Sequence, residues 1–390
     1  MSSLRMLFMA DVPEDPSSGA AGTEVQTIRA LRRLGHEVDA IWSDSLPRRI
    51  AHGNLHYLLE LPRAYRALML ERSARAPYDV VQINQPHGWL AAREHARRRL
   101  PGVFVHRSHG LEVRAERELR RWRERYGSDE RSLTRRLTSR FLAPALHRHT
   151  KEIVRWADGH IVYCEACAEL LRDELGVSRD RIGIVGAAAP DEYTVAPALP
   201  MSEERMRRVL YAGQYAFFKA PMIVAEIFRQ LAERDSSIEM TWVCSSRHHE
   251  SVRTLLPPEV QARVALRDWG DQAALRRIYD EHGIFVFPSF FEGFGKVFLE
   301  AMARGLCVVS SSEGGARDVI TDGVDGFLTD TGDAEAMVGR CALLLGEAPR
   351  MNEMSVRAAE TARRFTWDGV AEKTVDFFHE LLDSKGREKR

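Results

Sequence analysis

The sequence predicts an α/β protein built of two doubly wound parallel sheets, one in each half of the chain. Short apolar runs alternate with amphipathic segments of helical period, which is the pattern of parallel α/β architecture. The chain has 390 residues, which is long for one domain and suits two. An irregular stretch with three prolines, Ala189–Glu204, lies between the two series of runs and predicts an interdomain linker.

Each half of the chain offers six short apolar runs as strands. In the first half the predicted strands are Arg5–Ala10, Glu37–Trp42, Asp79–Ile83, Val103–Arg107, Gly159–Cys164 and Arg181–Val185. In the second half they are Arg208–Ala212, Glu239–Cys244, Val264–Leu266, Ile284–Phe287, Cys307–Ser310 and Gly326–Leu328. A last segment, Trp367–Leu382, alternates apolar and charged residues at helical spacing and predicts a C-terminal helix followed by a charged tail.

Composition indicates an ordinary globular protein. Apolar residues make up 44% and charged residues 29%, which excludes the disordered class. Lys+Arg and Asp+Glu both count 56, so the global charge identifies no partner. Five cysteines, an odd number, favour reduced thiols over a disulfide framework. No apolar run approaches the ~18 residues of a membrane span, and the apolar patch near the N-terminus is interpreted as a strand rather than a signal peptide. We therefore expect a cytoplasmic protein.

The stretch from Glu112 to Trp156 differs from the rest of the chain in its charge. It holds 13 cationic and seven anionic residues, a local balance of +6, with apolar residues between them. One interpretation is a solvated, salt-bridged helix pair. Another is a basic surface for a lipid headgroup or an anionic acceptor, at the inner face of a membrane. Nucleic acid is the least favoured partner, because no recognition motif accompanies the arginines.

The most informative segment runs from Ile284 to Gly315, IFVFPSFFEGFGKVFLEAMARGLCVVSSSEGG. It predicts a buried strand, a glycine-punctuated loop, a helix, a second buried strand and a Gly-Gly turn. Ligands of such sheets bind at the carboxyl ends of the strands. Gly293 and Gly295 allow close backbone approach, and a helix that starts near Lys296 directs free N–H groups at the loop, an arrangement that suits a phosphate.

Two glutamates flank this loop. Glu292 lies in the loop and Glu300 about one turn into the helix. A carboxylate accepts two hydrogen bonds, so it can hold a vicinal diol such as a ribose or one edge of a sugar. The alternative for either residue alone is a solvated position on a helix.

The spacing of Glu292 and Glu300 resembles the E-x7-E signature of the retaining GT-B-fold glycosyltransferases of family 4. The similarity continues through Ala301–Gly305, Gly314-Gly315 and Asp322-Gly323 with Gly326. Near the start it includes PSSGAAGTEVQTIRALRRLGHEV, DVVQINQPHG, HRSHGLE and WADGHIVYCE, pieces that are weak singly and strong in their joint order and spacing.

The resemblance implies two Rossmann-like domains that face a central cleft. Residues 1–195 would form the acceptor domain, residues 196–365 the nucleotide-sugar donor domain, and residues 366–390 a helix and tail packing back toward the N-terminal domain. The implied reaction moves a sugar from a nucleoside-diphosphate sugar of the UDP or GDP series to an acceptor hydroxyl, with retention of configuration. The nucleotide sugar is a substrate, and neither a cofactor nor a metal is expected, in keeping with the lack of an Asp-x-Asp motif.

The resemblance also assigns roles to single residues. Glu300 would bind the donor ribose and Glu292 the donor sugar, with Phe294 and Val297 completing the donor loop. His109 would contact the sugar from the N-terminal domain, although a histidine there is also interpreted as a structural hydrogen-bonding residue. The loop from Gly19 to Gly22 would approach the diphosphate or the acceptor, although it lacks the full dinucleotide fingerprint.

The diphosphate motif departs from the family pattern. The family usually has Gly-Arg followed five residues later by Lys-Gly, with both cations on the leaving diphosphate. Here Gly213 is followed by Gln214, Lys219 is in place, and Ala220 replaces the glycine. Glutamine can donate to phosphate but brings no charge against the growing anion. A non-catalytic protein, or one with an atypical donor, is therefore the alternative function.

Two further departures concern Lys296 and the loop Gly186-Ala187-Ala188. A lysine in a first helical turn opposes the helix dipole unless an anion is near. It either restores part of the charge missing at Gln214 or points to solvent. The family often has Asn-Gly in place of Gly186-Ala187-Ala188, which leaves contacts from that loop unassigned.

Three other interpretations stay open. A phosphorylase or an epimerase could use the same fold, and a basic surface could bind nucleic acid, which a steep salt dependence would reveal. Zinc is disfavoured, because a single C-x-x-C has no matched second pair. The candidate zinc ligands are Cys164, Cys167, His147, His149, His248 and His249.

Overall fold

A computed structural model describes residues 3–16, 18–51, 53–127 and 133–388, except for the side chains of 54, 133–143, 146 and 388. The chain divides into two compact units. Unit 1 comprises Met1–Arg117, Gly127–Gly186 and Trp367–Arg390, and unit 2 comprises Glu118–Tyr126 and Ala187–Thr366. Part of the predicted basic segment therefore lies outside the described residues. The side chains of Arg131, Arg135, Arg136 and Arg140 are not described.

Unit 1 contains a six-stranded parallel sheet in the order β2-β1-β3-β4-β5-β6. The chain runs outward from β1 to β2 and then returns to the other side of β1, so the strand order reverses between β1 and β3. At such a reversal the connections after the two strands leave in opposite directions and open a crevice at their carboxyl ends. The strands are β1 Arg5–Met9, β2 Glu37–Ile41, β3 Val80–Asn84, β4 Val103–Arg107, β5 Gly159–Val162 and β6 Ile182–Ile184.

Unit 2 contains a second six-stranded parallel sheet, in the order β12-β11-β10-β7-β8-β9. This order places the reversal between β7 and β10, which are hydrogen-bonded neighbours. The strands are β7 Arg208–Ala212, β8 Glu239–Val243, β9 Val264–Arg267, β10 Ile284–Phe287, β11 Cys307–Ser311 and β12 Phe327–Thr329.

Helices connect the strands in both units. In chain order they are α1 Ala20–Arg33, α2 Gly53–Leu55, α3 Leu61–Arg75, α4 Trp89–Arg98, α5 Glu112–Tyr126, α6 Leu133–Trp156, α7 Glu165–Glu169, α8 Asp191–Thr194, α9 Glu203–Met206, α10 Pro221–Arg234, α11 His249–Leu255, α12 Pro258–Gln261, α13 Gln272–Asp280, α14 Val297–Ala303, α15 Gly315–Val319, α16 Ala334–Gly346, α17 Ala348–Ala362 and α18 Trp367–Glu388. Among the described residues, no helix is both long enough and apolar enough to cross a membrane.

All twelve predicted strands are present, and the predicted two-sheet α/β fold is confirmed. When helices cover both faces of a parallel sheet, its strands are buried on both sides. Their sequences are therefore nearly continuous apolar runs. The central strands β3, β4, β10 and β11 are buried along their whole length.

The boundary between the units lies at Gly186, and not at 195 as the sequence suggested, because the linker is bonded to unit 2. Two buried arginines donate to its backbone carbonyls. Arg205 bonds to Leu199 and Pro200, whereas Arg304 bonds to Tyr193, Ala196 and Pro197. Proline-rich backbone that cannot pair in a sheet is thus held by guanidinium groups.

The C-terminal helix α18 belongs to unit 1, where two glycines of the sheet leave room for it. A Cβ at Gly159 would overlap Leu381, and a Cβ at Gly183 would lie 2.8 Å from the ring of Phe377. Arg33 of α1 adds an exposed ion pair to Asp368 at 2.6 Å.

The second half of α5 belongs to unit 2 through one aromatic side chain. Trp122 is buried, and its ring stacks on Phe290 at 4.5 Å between centroids and 7° between planes. Arg121 and Arg125 lie over the same indole. This part of the basic segment is therefore anchored in the core of unit 2 and is not simply a solvated helix face.

Candidate functional site

The predicted donor residues collect at the strand-order reversal of unit 2. Strand β7 ends at Ala212 and leads into the Gly213 loop, whereas β10 ends at Phe287 and leads into the Glu292 loop. Because β7 and β10 are neighbours, the two loops leave the same edge of the sheet side by side. The fold thus brings together two motifs that lie about 75 residues apart in sequence.

Lys219 and Glu292 form an ion pair at this edge. The Lys219 Nζ lies 2.5 Å from Glu292 Oε1, and the side chains are only 13% and 7% exposed. The ammonium also lies over the rings of Phe218 and Phe287, at 5.5 and 5.3 Å. A cation held by one carboxylate and two aromatic faces is positioned to bind a further anion, because an ammonium has three donors.

Glu300 lies in the same unit, on the first turn of α14, and is 6% exposed. The Tyr279 hydroxyl donates to its Oε2 at 3.2 Å. Burial raises the pKa of Glu300, and the positive charges of Lys296 and Lys219 with the Tyr279 hydrogen bond oppose this rise. Lys296 is half-buried and its charge acts on Glu300, and its two interpretations, charge compensation and a side chain that points to solvent, stay predictions.

Glycines allow the Glu292 loop to fold tightly. Gly295 has φ of 89° and Gly314 has φ of 58°, conformations that L side chains rarely adopt. A Cβ at Gly314 would lie 2.6 Å from the Glu292 Cβ, and a Cβ at Gly315 would overlap the Phe294 ring. The Phe294 ring is therefore a packing element, and its backbone oxygen accepts from the Gly315 N–H at 2.9 Å.

The remaining predicted donor residues frame this loop. Gly213 is closely packed, since a Cβ there would overlap the Tyr211 hydroxyl. Gly293 and Val297 are half-buried on either side of Gly295. Lys296 stands at the start of α14, whose beginning has no side-chain cap.

The two departures in the diphosphate motif have different structural settings. The Gln214 side chain is exposed. Ala220 is buried in a left-handed conformation, with φ of 52° and ψ of 53°. That conformation costs an L residue about 1–2 kcal/mol, and a buried methyl group returns about 0.8 kcal/mol. Burial of the methyl group thus offsets only part of the cost of alanine where the family usually has glycine.

His109 follows β4 in unit 1 and belongs to a hydrogen-bonded network. Its Nδ1 lies 3.0 Å from the Tyr163 hydroxyl, and its Nε2 lies 3.2 Å from Asn84 Nδ2. Glu24 Oε1 lies 3.8 Å from the same Nε2. The ring is thus oriented by groups from three other parts of unit 1, and its contact with the donor sugar stays a prediction.

Behind His109 lies a buried ion pair that sequence reasoning missed. Arg107 Nε is 3.3 Å from Glu24 Oε1, and the two side chains are 0% and 1% exposed. Burial acts to lower the pKa of Arg107, but Glu24 and Tyr163 raise it above its ordinary value. The signal in the sequence was Arg107 at the end of the apolar run Val103–Val105, whereas Glu24 lies among other polar residues of α1 and gave no such signal.

Unit 1 has its own cavity at its strand-order reversal, with a volume of about 340 Å³. The residues that line it follow β1, β3 and β4 or lie on the adjacent helices. They are Asp11, Val12, Tyr57, Asn84, Gln85, Pro86, His87, His109, Glu112, Glu116, His147 and Thr150. Of these, only His109 was among the predicted site residues.

The predicted N-terminal loop lies at the start of α1. Gly19 precedes the helix with φ of −61°, and no atom lies within 4 Å of a Cβ built on it, so neither the backbone angle nor close packing requires glycine there. Gly22 is buried within the first turn, and its N–H donates to Ser18 Oγ at 3.3 Å.

The candidate zinc ligands are engaged elsewhere. Cys164 and Cys167 lie 3.5 Å apart between sulfur atoms, both buried. His147 pairs with Glu116, His149 with His87, and His249 with backbone carbonyls. Within the described parts of the chain, no group of three or more His, Cys, Asp or Glu residues could hold a metal ion.

Two protein-family models match successive parts of the chain. Residues 18–188 match the model described as Glycosyltransferase Family 4, and residues 206–347 match Glycosyl transferases group 1. Together with the two parallel sheets, these matches define the class of protein as a GT-B-fold glycosyltransferase. The chain belongs to the family 4 type of this class.

Individual relatives agree with this family. A D-inositol 3-phosphate glycosyltransferase of Corynebacterium diphtheriae is 28% identical over 214 residues, which are 50% of this chain and 49% of that protein. The chain thus spans about half the length of this curated relative.

Solved structures share the fold. Sucrose-phosphate synthase from Thermosynechococcus elongatus has a TM-score of 0.72 at 19% identity, covering 97% of this chain and all of that one. Anabaena HepE, solved with UDP and glucose, has a TM-score of 0.67 at 14% identity, covering 95% and 98%.

Proposed function

We propose that this protein transfers a sugar from a nucleoside-diphosphate sugar to an acceptor hydroxyl with retention of anomeric configuration. The observation that supports it most is the Lys219–Glu292 pair at the strand-order reversal of unit 2, in the same unit as Glu300. The relatives support the donor class, since HepE was solved with UDP and glucose. The UDP or GDP series is the proposed donor.

The chemistry needs a stabilised leaving diphosphate and a stabilised cationic sugar. In the proposed reaction the bond from the anomeric carbon to the phosphate oxygen breaks, and a bond to the acceptor oxygen forms on the same face. The acceptor proton passes to the departing phosphate oxygen. Lys219 neutralises the leaving group, and Glu292 binds the sugar hydroxyls beside the reacting carbon. Protein cations take the part that a metal would otherwise play, so no metal or cofactor is proposed.

Glu300 is proposed to hold the donor ribose, and removing it is expected to abolish nucleotide binding. A ligand at 100 times its dissociation constant stabilises the folded state by ~2.7 kcal/mol. Thermal unfolding with UDP, GDP, ADP, dTDP or CMP, in chelator, should show a shift with one nucleotide. The shift should be lost in Glu300→Ala and kept in the exposed control Glu360→Ala. An equal shift in both variants would place the nucleotide elsewhere.

Lys296 is proposed to replace part of the charge that Gln214 lacks. It is half-buried and close enough for its charge to act on Glu300. Because a hydrogen bond to a charged group is worth ~1.5–3 kcal/mol and partial exposure reduces it, Lys296→Ala should weaken nucleotide binding about tenfold. Calorimetric titration measures this, with the exposed Lys151→Ala as control. Unchanged affinity and turnover in Lys296→Ala would exclude the compensation.

The second candidate function is nucleotide-sugar binding without transfer. Two departures from the diphosphate motif favour it: Gln214, which is exposed and uncharged, and Ala220, which replaces a glycine. Tight nucleotide binding with no turnover across a broad acceptor panel would support it. For the acceptor, the name of the corynebacterial relative suggests a phosphorylated compound. This agrees with an anionic acceptor, which is one of the interpretations of the basic segment, and a cytoplasmic location stays a prediction.

A further inference from the structure

The cavity of unit 1 has the chemistry of a binding site for a ligand that donates hydrogen bonds. Three carboxyl groups line it, from Asp11, Glu112 and Glu116, and no Lys or Arg is among its described lining residues. This charge is opposite to that of the surrounding segment, whose local balance is +6. A phosphate brings only acceptor oxygens and negative charge, so the lining opposes it.

Two enclosed oxygens in the lining residues lack donors. Glu112 Oε2 and Gln85 Oε1 are both shielded from solvent, and neither has a hydrogen-bond partner among the described residues. Such acceptors cost free energy unless a donor reaches them. Both oxygens are shielded from the cavity as well as from bulk solvent, so a ligand would contact Glu112 and Gln85 at their other polar atoms.

The backbone beside the cavity is strained at Gln85. Gln85 follows β3 with φ of 71° and ψ of 155°, a region that residues other than glycine rarely occupy. Strain of this kind is held by the surrounding structure and clusters at ligand sites. A second positive φ, 53° at Leu111, precedes Glu112 on the neighbouring β4 connection.

The two glutamates of α5 form one edge of the cavity. Glu112 and Glu116 are four residues apart and share a helix face. Glu116 Oε2 lies 2.5 Å from His147 Nε2, which fixes its orientation. Burial raises the pKa of Glu112 to about 7, so an approaching cation would favour the ionised carboxylate.

Another part of the lining offers aromatic and polar groups to a hydroxylated ring. Tyr57 stacks on His87 with 4.9 Å between centroids and 4° between planes. Burial lowers the pKa of His87 to about 3, so this imidazole is neutral. Its Nδ1 is engaged by His149 Nδ1 at 3.3 Å, which leaves Nε2 as the nitrogen that could bond to a ligand. Asn84 adds an amide. The cavity volume of about 340 Å³ lies in the range of small-ligand pockets.

We infer that this cavity binds a polyhydroxylated acceptor carrying a protonated amine, such as an amino sugar, with the ammonium at Glu112 and Glu116. The role of this ligand as an acceptor rests on the proposed function. The preference of the cavity for an amine-bearing ligand can be tested by binding alone, without turnover. The ring hydroxyls would bond to Asp11, Asn84 and Gln85. The inference replaces the anionic acceptor suggested by the basic segment.

The test compares three probes of one ring: methyl α-glucosaminide, methyl α-glucoside and glucose 6-phosphate. Calorimetry or ligand-observed NMR near pH 7 gives their dissociation constants on the whole chain. We expect the amine to bind at least about tenfold more tightly than the neutral glycoside, a difference of ~1.4 kcal/mol, and the phosphate more weakly than both. In Glu112→Gln and Glu116→Gln the amine preference should fall below about threefold, with the neutral glycoside little affected.

Glu124→Gln is the matched control, because Glu124 lies on the same helix, is exposed and does not line the cavity. The half-exposed Glu116 decides the question if the Glu112 variant does not fold. A tighter phosphate, no amine preference, a preference that survives both substitutions, or no binding of any probe would overturn the inference. A parallel UDP titration separates the two ideas, since binding of the amine without any nucleotide would retain this inference and contradict the proposed function.

Discussion

Replacing Lys219 by alanine is expected to lower kcat by about 10²–10³, the usual cost of removing one group that stabilises developing negative charge. Lys219 is the cation of the diphosphate motif that remains where the family usually has two, and Gln214 is exposed and uncharged. In the free protein its ammonium is held by Glu292 at 2.5 Å. When the diphosphate binds, the ammonium donates hydrogen bonds to both the Glu292 carboxylate and the phosphate. The cation is therefore in place when the leaving group gains negative charge.

Steady-state kinetics with the nucleotide sugar that stabilises the wild-type protein measure this effect. Lys373→Ala, an exposed lysine on α18, is the control and should retain full activity. Glu292 is 7% exposed, so losing its partner also lowers stability, and each variant needs its unfolding temperature measured beside its rate. A kcat for Lys219→Ala close to that of wild type would show that this lysine does not act on the leaving group.

Replacing Arg304 by leucine is expected to lower the free energy of unfolding by about 3–5 kcal/mol. The substitution removes one partner of a buried ion pair and breaks the hydrogen bonds that the guanidinium donates. The guanidinium is 2% exposed and lies 2.7 Å from Asp280 Oδ1. It also donates to three linker carbonyls, those of Tyr193, Ala196 and Pro197. Leucine fills part of the volume but satisfies none of these acceptors.

Denaturant unfolding followed by fluorescence measures the loss. Arg357→Leu is the control, since its side chain is 55% exposed and its pair with Glu353 is long, at 4.0 Å. That change should stay within about 0.5 kcal/mol of wild type. A loss for Arg304→Leu no greater than that of the control would contradict the role given to Arg304 in fixing the linker.

The fold was predictable from the sequence because burial on both faces leaves a simple signature. The run Ile284–Phe287, for example, contains no polar side chain and ends at Pro288. The unit boundary was less predictable, since it depends on Arg205 and Arg304 reaching linker carbonyls. Nothing local in the sequence indicates that an arginine will be buried against backbone far along the chain.

The site was predictable only where its residues lie close together in sequence. Glu292 and Glu300 share one loop and helix, so their relation could be stated in advance. The contacts of His109 could not, because Tyr163 and Glu24 reach it from other elements. The charge of the cavity could not be predicted either, because its lining residues come from segments far apart in sequence.

The acidic edge of the unit 1 cavity lies inside the most basic segment of the chain. Glu112 and Glu116 belong to a stretch with a balance of +6, yet both line the cavity. Trp122, from the same helix, packs on the core of unit 2. The net charge of a segment adds up all its side chains, whichever way they point. In a helix, each side chain projects from one face, so one face can be acidic although the segment is basic. Local composition thus did not indicate the carboxyl groups that line the cavity.

The central claim is that a nucleoside-diphosphate sugar reacts at the Lys219–Glu292 edge of unit 2. The most direct test is proton NMR of the wild-type protein with the stabilising nucleotide sugar, an amine-bearing acceptor and chelator, followed over time. We expect release of the nucleoside diphosphate that depends on the acceptor, and a glycoside with the same anomeric configuration as the donor. A product of opposite configuration, or a donor that stays intact although its nucleotide binds, would contradict the account.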